Sequence, residues 1–108
     1  MWLYTTSGFL SVVQHNSMPE HFQIKSRTAD ALRELWPDYE IEIIDWADYR
    51  FRITIEKSKA LPVLFGVMCS VDYTSFKGAF QPSSRYHMML TKVWNIMYSY
   101  QSEMESLI

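Results

Sequence analysis

Apolar and polar residues alternate along three stretches of the chain and recur at helical spacing along three others. Residues 21–26 put Phe22 and Ile24 on one side and Gln23 and Lys25 on the other, the period-2 pattern of a half-buried strand. Residues 49–56 repeat it, with Tyr49, Phe51, Ile53 and Ile55 alternating with Arg50, Arg52 and Thr54. Residues 40–45 set Ile41 and Ile43 against Glu40 and Glu42. Trp46-Ala47-Asp48 joins these last two strands as a hairpin. Pairing residue 45 with 49 brings Glu42 opposite Arg52, and a slip of one residue would bury the charges, so the register is well specified. Two further strands, 2–5 and 9–15, flank Thr6-Ser7-Gly8, a turn in which Gly8 is able to take a positive φ at no steric cost.

Helical spacing takes over in between. Leu32, Leu35 and Trp36 form the stripe of a short helix over 29–36, with Thr28 as its N-cap and Pro37 blocking continuation. Leu61, Leu64, Phe65 and Met68 mark a second helix over 59–71, capped by Ser58, with Pro62 in its first turn. Residues 72–77 then form a short turn or single helical turn that ends at Gly78. Ser84 caps a last helix over 85–105. Its apolar residues, Tyr86 to Met104, cover an arc of roughly 160°, wider than the stripe of about 100° that an ordinary core-facing helix needs.

The predicted order is β-β-β-α-β-β-α-α. Short connections make the strands antiparallel, and helices packed on one face of such a sheet give an α+β sandwich of about five strands. The middle, strand-helix-strand-strand-helix, is distantly similar to a ferredoxin-like arrangement, with the long C-terminal helix standing where a final strand would be. No internal repeat or Pro/Gly-rich linker interrupts the sequence, so residues 1–108 are read as one domain.

Composition narrows the function classes. Hydrophobic residues make up 48% and charged residues 20% of the chain, a balance that folds rather than stays disordered. A net charge of −2 is not that of a dedicated nucleic-acid binder, and no polybasic run marks a lipid-surface protein. No apolar run approaches the ~20 residues that span a bilayer, and the first fifteen residues lack the basic region and cleavage site of a signal peptide. Cys69 is the one cysteine; it excludes an internal disulfide, points to a cytoplasmic setting, and reads as a small buried hydrophobe on its helix.

Chemistry-bearing motifs are sparse. His15, His21 and His87 lie far apart without paired cysteines or H-E-x-x-H spacing, so neither a metal nor another cofactor is expected. There is no G-x-S-x-G elbow, P-loop or G-x-G-x-x-G. Gln23, Lys25, Glu40, Glu42, Arg50 and Arg52 are expected to share a solvated, ion-paired sheet face. A bare sheet with aromatics can take single-stranded RNA, but YRFRITIE does not match the usual RNA-binding signature. The runs DYRFR, DYTSFK and RYH supply Tyr49, Arg52, Asp72, Lys77 and His87 as an alternative ligand or catalytic site, provided the fold gathers them.

The segments WLYTTSGFLSVVQH, DYRFRI, DYTSFK and YHMMLTKVWNIMYSYQ together resemble a family of short, uncharacterised bacterial and phage proteins, over nearly the whole chain. The resemblance carries no catalytic residues over. It implies a bacterial setting, or the host cytoplasm for a phage product, and a role as inhibitor or regulator of a host protein complex, defence systems included. With the excess of aromatics and Met, the leading expectation is a non-enzymatic protein-interaction module that binds a protein partner or itself as a homodimer. Trp46 at the hairpin tip and Trp94, Tyr98 and Tyr100 on the last helix are its contact residues. A small enzyme or ligand-binding domain is the second expectation, and nucleic-acid binding by the sheet face the third.

Overall fold

The alternating segments assemble into one antiparallel sheet in the computed structural model, which describes residues 1–107. Five strands, β1 (Trp2–Thr5), β2 (Gly8–Gln14), β3 (His21–Ser26), β4 (Glu42–Ile43) and β5 (Phe51–Glu56), lie in the order β1-β2-β3-β5-β4. Three helices accompany them: α1 (Asp30–Leu35), α2 (Lys57–Cys69) and the long C-terminal α3 (Arg85–Glu105). The class is α+β, as the periodicity predicts. The chain divides into two compact units, Met1–Val71 and Asp72–Ile108.

In the first unit the predicted register holds, with Glu42 opposite Arg52 and Ile43 opposite Phe51. β4 runs parallel to β3 with β5 inserted between them, a split β-α-β arrangement. β2 takes the place beside β3 that a final strand would fill in a ferredoxin-like sheet. Strand 40–45 shrinks to two residues. Its last ladder bond is Ile44 N to Arg50 O at 2.9 Å, after which Ala47 N bonds back to Ile44 O and closes the turn. A short edge strand of this kind offers little backbone for unwanted pairing.

One sheet face holds the core. Leu10, Val12, Ile24, Ile53 and Ile55 line it and pack with Ala31, Leu32 and Trp36 of the α1 segment and Ala60 of α2. Each fully buried Leu or Ile contributes about 1.5–3 kcal/mol relative to exposure. At the first hairpin Gly8 adopts φ +140°, and Thr5 Oγ1 accepts the amides of Ser7 and Gly8, both at 3.1 Å.

Two predicted caps are corrected. α1 begins past Thr28: Ala29 is buried, already in the right-handed helical region, and takes the cap position with no side-chain bond. α2 starts at Lys57, immediately after β5, so Ser58 lies inside its first turn and Glu56 holds the cap position. The Lys57 amide donates to Glu20 O at 2.9 Å instead. Lys59 Nζ lies 3.2 Å from Glu56 Oε2, and that hydrogen bond raises the Lys59 pKa above its ordinary value. The early start also places Pro62 inside the helix rather than in its first turn, where it denies an amide to the Ser58 carbonyl.

The second unit bears out the Ser84 cap. Ser84 Oγ accepts from the His87 amide at 3.0 Å and starts α3 where the sequence places it. Before it, Lys77–Ala79 forms a single 3₁₀ turn. Phe76, Phe80 and Tyr86 stack edge to face in series, at 5.1 and 5.2 Å, tying this segment to the first turn of α3. Lys77 Nζ sits 4.3 Å from the Trp94 ring centroid.

Candidate functional site

α3 carries its apolar residues in a seven-residue repeat. Tyr86, Leu90, Val93, Met97, Tyr100 and Met104, followed by Leu107 past the helix end, are spaced alternately by four and three residues. That spacing keeps one seam in line along a helix about 32 Å long. The seam changes character along its length. Leu90 is buried, and Tyr86 and Val93 are half-buried. Beyond them Met97 is 56%, Tyr100 56%, Met104 46% and Leu107 73% exposed. Trp94, which borders the seam, stacks on Tyr98 one turn on, at 5.4 Å with an interplanar angle of 17°. A shallow groove runs here among Trp94, Met97, Tyr98, Gln101, Met104 and Leu107.

Trp94, Tyr98 and Tyr100 are therefore all exposed on the C-terminal stretch of α3, the first two stacked on each other and Tyr100 in the seam. Trp46 belongs to the first unit and is 90% exposed at the hairpin tip, which the Arg50–Asp45 ion pair at 2.8 Å clamps shut. Met97, Met104 and Leu107 were not among the expected contact residues. The repeat that singles them out lies inside the broad apolar arc and is visible only when its spacing is counted.

α2 also differs from expectation. Its buried side is Ala60, with Val63 and Leu64 packed against the core, while Leu61, Phe65 and Met68 are exposed. The helix is apolar on nearly all sides, so periodicity alone could not say which side faces the sheet. Cys69 is exposed too, not buried, because it falls at the last turn where the helix leaves the core.

The sheet face opposite the core has its own pattern. The register aligns Trp2, Ser11, Lys25, Arg52 and Glu42 in one row across all five strands. Beside the row, Tyr4 pairs with Phe9, whose ring contacts Trp2 edge-on and stacks on Tyr49 at 6.1 Å. Arg27 lies 4.5 Å over the Tyr49 ring and pairs with Asp48 at 3.1 Å. The expected ion-paired face is only partly realised. Arg50 and Arg27 have carboxylate partners, whereas among the described residues Lys25 and Arg52 have none, although Glu42 is next to Arg52 in register.

The alternative ligand residues divide between the units. Tyr49 and Arg52 lie in the first, where Arg52 Nη2 donates to Tyr49 O at 2.9 Å. Asp72, Lys77 and His87 lie in the second, with Lys77 over Trp94 and the His87 amide on the Ser84 cap. Among the described residues no three His, Cys, Asp or Glu side chains gather as a metal site. No helix among them is long and apolar enough to cross a membrane. Compared with family models, curated proteins and solved structures, the chain matches none of them.

Proposed function

We propose that the chain is a non-enzymatic protein-interaction module whose docking element is the C-terminal half of α3 and whose occupant is the same helix of a second copy. The observation that carries this reading is the continuation of the α3 seam, at unbroken heptad spacing, from covered residues into exposed Met97, Tyr100, Met104 and Leu107. Removing such side chains from water is worth roughly 25 cal/mol per Å². Knobs-into-holes pairing of two helices removes a seam of this spacing from water along its length. The flanking positions suit an identical partner: Trp94 and Gln101 border one side of the seam, Ile96 and Glu103 the other, so no array of like charges opposes pairing. A role as inhibitor or regulator of a host complex would present the same seam to that complex.

Sedimentation equilibrium of the full chain over a concentration series tests the proposal. Reversible dimerisation is expected, with Met97→Glu and Tyr100→Glu each shifting the chain to monomer while the far-ultraviolet helical signal persists. A wild-type chain that stays monomeric throughout, or variants that dimerise like wild type, would overturn it.

A further inference from the structure

The outer sheet face of the first unit carries a second inference, independent of α3. We infer that this face binds single-stranded nucleic acid, with bases stacking on Trp2 and Tyr4 and the phosphates running over Lys25 and Arg52. Three observations lead there.

The first is charge. Lys25 and Arg52 sit directly opposite each other on β3 and β5. Like charges in that relation repel. Neither has a carboxylate partner among the described residues. β1, β2 and β3 contain no Asp or Glu at all, so from Trp2 to Lys25 the row carries nothing acidic. An anion laid across the row removes the repulsion. The chain's net charge of −2 does not describe this row, in which Glu42 is the one acid and stands at the far edge; Glu56, on the same face of β5, is engaged by His21 and Lys59.

The second is the aromatic platform. Phe9 is already engaged by Trp2, Tyr4 and Tyr49, which fixes the cluster. Trp2 and Tyr4 stay open, at 65% and 38% exposure. Held aromatic rings beside a cationic track are what sequence-tolerant single-strand binding uses, because every base has a face to stack. The third is reach. Trp2 and Arg52 are three strand spacings apart in the row, about 14 Å, so one ligand must be extended and carry rings and charge together. The core and the α1 and α2 contacts with it lie on the opposite face.

Fluorescence anisotropy of a labelled oligothymidylate titrated with the full chain at low salt tests this. Binding is expected, weakening with salt at a log–log slope of about −1.4 for two neutralised phosphates. Lys25→Gln lowers the slope by about 0.7. Trp2→Ala weakens binding roughly tenfold, and Trp2→Tyr restores most of it. Trp2 is exposed on the edge strand, so circular dichroism of both Trp2 variants should match wild type. No anisotropy change at low salt would overturn the inference. So would equal competition by polyglutamate, tighter binding of duplex, or Lys25→Gln and Trp2→Ala variants that bind like wild type.

Discussion

Gly8 passes so close to Ala31 that a Cβ added to it would lie 3.1 Å from the Ala31 Cβ. The same glycine has φ +140°, a conformation other residues rarely adopt. The contact sets the first hairpin against α1, on the face that holds Leu10 and Leu32. Gly8→Ala is therefore expected to cost about 1–3 kcal/mol, read as a lower urea midpoint. Gly78→Ala is the control, because a Cβ there meets Ser75 at an ordinary 3.5 Å. Equal midpoints for the two variants would show that the hairpin yields to the added methyl.

Ser84 does for α3 what Thr28 and Ser58 do not do for their helices. Its Oγ accepts from the His87 amide at 3.0 Å. Ser84→Ala should destabilise the start of α3 by about 1 kcal/mol, seen as roughly fivefold faster hydrogen exchange at the His87 amide. Thr28→Ala and Ser58→Ala lack any cap bond to lose and should leave exchange in α1 and α2 unchanged.

These caps show what could be read from the sequence. Ser84 is followed by a long periodic run, so only one helix start satisfies both signals. Thr28 and Ser58 precede short segments whose starts are set by tertiary contacts: Ala29 buried in the first, Lys57 N bonded to Glu20 O in the second. The sheet was legible for a related reason. Glu42 and Arg52 stand directly opposite each other at only one register, and the structure keeps it. What the pattern did not reveal was which side of α2 is covered, since Leu61, Leu64, Phe65 and Met68 are equally apolar. It also did not reveal that Lys25 and Arg52 would be left without carboxylates. That depends on where the exposed Glu42 side chain settles, and alternation carries no such information. Of the residues proposed to make the contact, Trp94 and Tyr100 lie in the apolar arc of α3 and Tyr98 was named as an aromatic anchor, while Leu107 needed the count of its repeat.

Gly66 lies within α2, and a Cβ placed there would meet nothing within 4 Å. The glycine has no steric reason to be in the helix and costs it backbone entropy. Gly66→Ala should raise stability by about 0.5–1 kcal/mol, with a matching rise in melting temperature. A loss of stability would instead mean that another backbone approaches α2 closely at this position.

The last prediction separates the two sides of α2. Leu10 is fully buried beneath the helices, whereas Phe65 is 69% exposed on the opposite side of α2 from Ala60. Truncating Leu10 to Ala removes packed methyl groups and leaves a cavity, at a cost of about 2–5 kcal/mol. Phe65→Gln removes a larger side chain from a surface that packs on nothing in the core and should move stability by no more than about 0.5 kcal/mol. Chemical denaturation of both variants at low protein concentration, where association is minimal, provides the comparison. If Phe65→Gln costs as much as Leu10→Ala there, the Leu61–Phe65–Met68 stripe is covered within the single chain. If its cost grows only as protein concentration rises, the stripe joins the α3 seam as part of the association surface.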